Sequence, residues 1–271
     1  MPDRPSILVP LRVLERESVP EGVPELLANA HVVLLGYHVV PEQTAPGQAQ
    51  MQFEERATNR LDEYEAIFEE AGATVERRLV FTREGQKTIN RTILEHDCLA
   101  VLVPNATGAV EDVLVAVRGT VGVDRLARVV AGVFGETDAS VTLYHVAEKK
   151  ETEEDIGMLL DGMRERLVDL GFDTSRVETQ VAREQRALDA IVDVAEGYDV
   201  VVMGETDPSL ATFVFGMPAD QVADRFLGPV LVVQREPEPA ETVEEDAGQG
   251  EDADQGEDAP GDGPTESEES R

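Results

Sequence analysis

The residues with chemistry to offer stand at the ends of short apolar runs. Arg12 and Arg118 each close one, Ile7-Leu8-Val9-Pro10-Leu11-Arg12 and Val113-Leu114-Val115-Ala116-Val117-Arg118. A guanidinium in that place could hold an anion. Gly119-Thr120-Val121-Gly122 follows the second run. A glycine pair at a strand-to-helix turn lets backbone N–H groups approach a phosphate, although a tight turn accounts for it equally well. His38 and His145 end two further runs and could act as a metal pair or as general bases. No Cys or carboxylate motif with ligand spacing accompanies them, nor His31 and His96, so histidines packed at strand ends are the expectation. Cys98 opens an apolar run and reads as a buried small hydrophobe, not a reactive thiol. No Ser/His/Asp arrangement or metal-ligand cluster stands out, so neither catalysis nor a metal is expected.

Composition narrows the partners. The chain has 271 residues, 56 acidic against 23 basic, and a formal net charge of -33. Duplex nucleic acid is itself a polyanion and is an unfavourable partner. With 41% hydrophobic residues the chain can bury a sizeable core. A single cysteine excludes a disulfide framework within the chain. No stretch approaches the roughly 20 apolar residues of a membrane span. Met1-Pro2-Asp3-Arg4 leads straight into a strand-like run without a signal-peptide core, so a cytoplasmic protein with no membrane span is expected.

The acidity is uneven. Residues 236–271 hold fifteen carboxylates and one arginine, with Val243 almost the only large apolar side chain. Such a segment cannot offset its ordering entropy by burial, and a disordered acidic tail is expected there. Of the basic residues only Lys87, Lys149 and Lys150 are lysine. An acidic, lysine-poor surface suits a cytoplasm at molar salt, where the Debye length is about 3 Å against about 10 Å at 0.1 M. A halophile is the expected source.

The elements that position these residues follow from periodicity. Ser6–Leu11, His31–Val40, Ala73–Phe81, Cys98–Pro104, Asp112–Arg118, Ser140–Val146, Ser175–Ala182, Asp199–Gly204 and Pro229–Gln234 read as strands. Near-continuous runs such as Val200-Val201-Val202-Met203 suit parallel strands covered on both faces. Phe53–Ala71 and Glu151–Leu170 carry apolar residues at three- and four-residue spacing and end at Gly72 and Gly171, as helices with C-terminal glycines do. A further helix is expected around Ala219–Phe226. Alternating strands and helices predict right-handed parallel α/β packing.

The pattern repeats after about 106 residues. Ala30–Val39 corresponds to Ala139–Val146, as Ile7–Arg12 does to Val113–Arg118. This predicts two tandem doubly wound units, a truncated one over residues 1–110 and a complete one over 111–235. The first has four strands and lacks a fifth, so its sheet edge needs cover from the other half or from a second chain.

The second half resembles the universal stress protein family. The resemblance lies in Val113-Leu114-Val115-Ala116-Val117, Leu143-Tyr144-His145-Val146, Asp199–Gly204 and Gly228-Pro229-Val230-Leu231-Val232-Val233, in that order and spacing. It covers roughly residues 112–235 well and 5–105 more loosely. It implies a five-stranded parallel sheet in the order 3-2-1-4-5, a commonly dimeric state and, in many members, ATP bound where strands 1 and 4 diverge. Nucleotide-binding members place an Asp at the end of strand 1 and a G-x2-G-x9-G-(S/T) pattern after strand 4. On that pattern the nucleotide-site positions here are Arg118, Gly119, Val146, Gly204, Asp207, Gly216 and Met217.

Several of these depart from the pattern. Arg118 stands in the Asp position, Asp207 replaces the middle glycine, and Met217 replaces the hydroxyl residue. Glu205 and Asp207 would line the phosphate cradle. A carboxylate about 4 Å from a phosphate costs on the order of 4 kcal/mol at an effective dielectric near 20. The site is therefore expected to be degenerate, with no cofactor and with Arg118 and Asp207 paired across the crevice. Phe213, Val214, Phe215 and Met217 are expected in the core or at a contact. The expected function is non-catalytic, a stress-response binding or regulatory role through protein contacts, with a homodimer or pairing between the halves. The alternative is an ATP-binding stress sensor built on the second half.

Overall fold

A computed structural model describes residues 4–15, 18–119, 122–183, 187–204 and 228–235. Chain order is β1 (Ser6–Arg12), α1 (Val23–Leu26), β2 (His31–Val39), α2 (Pro46–Ala71), β3 (Thr74–Thr82), α3 (Gly85–Glu95) and β4 (Ala100–Val103). The second half follows with β5 (Asp112–Ala116), α4 (Val123–Phe134), β6 (Ser140–Val146), α5 (Glu153–Asp169), β7 (Val177–Ala182), α6 (Ala187–Ala195), β8 (Val200–Gly204) and β9 (Val230–Val233). Each strand expected from an apolar run is present. The helix expected around Ala219–Phe226, the run Phe213–Met217 and the tail 236–271 lie outside the described residues.

The nine strands among the described residues join one sheet in the order β3-β2-β1-β4-β9-β8-β5-β6-β7. Within it, β7-β6-β5-β8-β9 reads 3-2-1-4-5 for the second half, and β3-β2-β1-β4 reads 3-2-1-4 for the first. Every pairing is parallel except one. β9 runs parallel to β8 through Val201↔Val230 to Gly204↔Val233 and antiparallel to β4 through Ala100↔Val233 to Val103↔Val230. The missing fifth strand of the first half is thus replaced by the fifth strand of the second. One strand satisfies backbone groups on both sides and leaves neither half with an open edge at the junction.

Helices cover both faces. On one face α1, α2, α4 and α5 bury a continuous core that runs from Phe68 and Leu34 through Val9, Leu102 and Leu231 to Val115, Leu143 and Leu167. On the other, α3 covers Leu8, Val33 and Val101, and α6 covers Leu114, Val201 and Val230. The halves that the sequence divides near residue 110 therefore share a sheet and, on one face, a core. The described residues, up to Arg235, pack as one compact unit.

Local chemistry sets the helix ends. Gly72 and Gly171 adopt φ of 110° and 82°, the left-handed geometry anticipated for residues just past α2 and α5. At the start of α5, the Thr152 hydroxyl accepts from the Asp155 N–H and the Asp155 carboxylate accepts from the Thr152 N–H, a reciprocal capping box. The connection between the halves is also pinned. Asp199 accepts from the N–H groups of Glu111 and Asp112 at 2.8 and 2.9 Å, and Asn105 donates to the Gly228 carbonyl at 3.2 Å. Thr107 N–H bonds Glu21 O at 2.9 Å, and a Cβ on Gly22 would lie 2.2 Å from the Thr107 carbonyl oxygen. Only glycine fits that crossing.

Candidate functional site

The carboxyl ends of β5 and β8 flank a small cavity of about 20 Å³, lined by Ala116, Arg118, Gly119, Gly122, Gly204 and Arg235 among others. That is room for about one water molecule. Gly119 and Gly122 take positive φ, 62° and 92°, as the chain turns from β5 into α4. Gly122 is the N-cap of α4 and brings no side chain to it. The N-terminal end of α4, with its unbonded N–H groups and the positive end of the helix dipole, therefore borders the cavity. Arg118, Gly119 and Gly204 come together here. Val146 does not line the cavity: it is buried with Leu114, Tyr144 and Met203 in the core under α6. Asp207, Gly216, Met217 and Glu205 lie outside the described residues. One partner of Arg118 is Glu148, with Nη2 3.8 Å from Oε1.

The equivalent place in the first half is built differently. Arg12 donates from Nε to the Tyr37 hydroxyl at 3.2 Å and pairs with Glu15 at 3.3 Å. The Tyr37 bond, joined by Glu15 and opposed by burial, holds the guanidinium even more firmly charged than usual. β4 then runs directly into the pinned connection. Beside this end lies an open groove of about 590 Å³, lined by Glu15, Gln52, Glu55, Arg56 and Asn59 among others. Its walls alternate in charge.

The histidines occupy three settings. His38 packs edge-on against Phe53 and Phe81, with centroids 6.2 and 6.0 Å away. His96 Nδ1 lies 3.2 Å from Glu76 Oε2, and Arg78 Nε donates to His96 Nε2 at 2.9 Å, so the ring proton belongs on Nδ1. His31 Nε2 stands 3.8 Å from the same Glu76 oxygen. Among the described residues no group of three His, Cys, Asp or Glu side chains is placed to hold a metal ion. His145 is buried, with Nδ1 2.8 Å from Val117 O and Nε2 3.0 Å from Glu151 Oε2. That pair is not legible in the sequence, since six residues and a turn separate its members. The Thr152-x-x-Asp155 cap that fixes the turn's far end was the available signal. Cys98 is fully buried, and burial, with smaller contributions from Asp97 and Glu76, pushes its thiol up to about 12.

A nine-stranded, mostly parallel sheet with a glycine turn at its switch point defines a doubly wound α/β protein. Residues 109–234 match the family model described as the universal stress protein family. Among solved structures, a universal stress protein from Archaeoglobus fulgidus is similar, at 18% identity over 85% of this chain and 98% of that one, with a TM-score of 0.57. The fold is that of universal stress proteins. A universal stress protein in complex with cAMP aligns at 20% identity over 46% of this chain and 98% of that one, with a TM-score of 0.36. Another from Archaeoglobus fulgidus, in complex with dAMP, aligns at 20% identity over 45% and 97%, with a TM-score of 0.35. No curated protein matches the chain. No helix among the described residues is long and apolar enough to cross a membrane.

Proposed function

We propose that this chain is a non-catalytic, cytoplasmic stress-response protein that works through protein contacts and whose switch-point cavity no longer receives an adenine nucleotide. The carrying observation is the size and lining of that cavity. It measures about 20 Å³ between the described residues, against roughly 300–1,000 Å³ for a small-molecule pocket. Arg118 stands where the resemblance places an Asp, and Glu148 is one of its partners. The carboxylates of Glu205 and Asp207, from the sequence, add repulsion toward polyphosphate. In this reading the two halves arose by tandem duplication, and the sharing of β9 made the pair a built-in dimer. The acidity and scarcity of lysine support this reading's cytoplasm at molar salt.

A second reading keeps the nucleotide. Arg118, Arg235 and the Gly119 and Gly122 turn surround one point at the start of α4, which suits an adenine-nucleotide sensor with arginines on the phosphates. Calorimetric titration of the full chain with Mg-ATP in molar KCl separates the two. No heat of binding up to millimolar nucleotide is expected. Micromolar affinity abolished by Gly204→Asp would establish the sensor.

A further inference from the structure

We propose that His145 and Glu151 form a proton-operated latch that sets Arg118 at the mouth of the switch-point cavity. The latch grips that arginine from two directions. Val117, whose carbonyl oxygen lies 2.8 Å from His145 Nδ1, is the residue before Arg118. Glu151 Oε2, 3.0 Å from His145 Nε2, also accepts the Glu148 N–H at 2.6 Å. The Glu151 N–H in turn bonds the Glu148 carbonyl at 3.1 Å, closing the turn. The Glu148 carboxylate in turn lies 3.8 Å from the Arg118 guanidinium. One imidazole therefore ties down both the backbone before Arg118 and the turn bearing its partner.

Both atoms facing the ring are acceptors. A carbonyl and a carboxylate have no proton to give, so only a ring carrying protons on both nitrogens bonds both. A ring with one proton leaves an oxygen against a nitrogen lone pair, in a place where the histidine side chain is only 3% exposed. The carbonyl end is fixed in the strand ladder, since Val117 N–H bonds Tyr144 O at 2.9 Å. The Glu151 side chain is 28% exposed and has water to turn to. Loss of one ring proton thus releases the Glu151 side and loosens the turn at Glu148.

The charged groups described around the ring are Glu151 and Glu148 from the turn and Arg118 from the end of β5. Asp155, at the start of α5, acts on Glu151, and the ring's register partner on β7 is Val181. For Glu151, burial opposes the charge, but the bonds from Glu148 N–H and His145 outweigh it and hold the carboxyl below its usual range. A carboxyl depressed in the folded state lends stability above its ordinary titration range and loses it as pH falls through the lower folded value. The latch is therefore closed only while Glu151 keeps its charge and the ring both its protons, and its acid limit lies below the usual carboxyl range.

The test is nitrogen NMR on the full chain in high salt, with labelled histidine rings and backbone amides followed over pH. Within the closed window both ring nitrogens of His145 are expected to carry protons. As pH rises and one is lost, the amides of Val117, Arg118, Glu148 and Glu151 shift in step. In Glu151→Gln the side-chain amide can donate to a singly protonated ring, so those amides cease to follow the ring's titration while the rest of the spectrum is retained. A bare lone pair on either ring nitrogen with the wild-type turn closed would overturn the latch. So would a His145 titration that leaves the four amides unmoved, or a Glu151→Gln protein that keeps the coupling.

Discussion

Replacing Leu231 with alanine tests whether β9 serves both halves of the sheet. Leu231 is fully buried and pairs with Leu102 on β4 and Val202 on β8. It belongs to the core shared by the helices of both halves. Truncating such a leucine removes its burial and leaves a cavity, at a cost of about 2–5 kcal/mol. For a folded unit of this size each kcal/mol lowers the melting temperature by roughly 2–4 °C, so a fall of about 4–20 °C is expected. Location matters more than size. Because β9 holds β4 as well as β8, amide hydrogen exchange should accelerate at Val101 and Leu102 as it does at Val201 and Val202, by about 30-fold or more for 2 kcal/mol. Thermal unfolding in high salt and exchange read by mass spectrometry supply both numbers. Acceleration confined to β8, with β4 as protected as before, would refute the shared-strand reasoning.

Three further outcomes follow from the same structure. Gly22→Ala should cost at least about 1–2 kcal/mol for a left-handed residue, since φ there is 80° and the added Cβ would meet the Thr107 carbonyl at 2.2 Å; an unchanged melting curve would contradict the crossing described above. Cys98, with its thiol pushed up to about 12, should resist a disulfide reagent in the folded protein at pH 8 and react on unfolding. Rapid labelling of the native chain would show it accessible. Dilution from molar KCl to millimolar salt should lower the melting temperature, because a net charge of -33 is then unscreened. A salt-independent melting temperature would remove the halophile reading.

The strands were legible because their chemistry is local. Val113–Val115 and Val200–Val202 are buried on both faces, and an unbroken apolar run announces that without reference to anything distant. α4 was not read, although Asp124, Arg125 and Arg128 set a polar side against its eight buried residues; its twelve residues follow β5 with only a short glycine turn between, and the apolar runs were read for strands. α1 is a single turn, too short for any period. The open edge of the first half was visible as a missing strand, yet its cover was not. β4 and β9 are more than 120 residues apart in sequence, and nothing in either run names its partner or its antiparallel sense.

The site divides along the same line. Arg118, Gly119 and Gly204 could be placed at one crevice because strand ends and glycine turns fix them. Val146 could not, since a residue ending a strand points to either face according to its register, and here it points into the core under α6. The two bonds of His145 depend on how a turn folds back, which spacing alone does not encode. Asp199 likewise looked like the first residue of a strand and proves to clamp the connection between the halves.

The most direct measurement of the central claim is the adenine-nucleotide content of the full chain purified in molar KCl with no nucleotide added. Acid release followed by chromatography would quantify it. A cavity closed to polyphosphate predicts far less than one nucleotide per chain. Close to one adenine nucleotide per chain, lost on Gly204→Asp, would contradict the account.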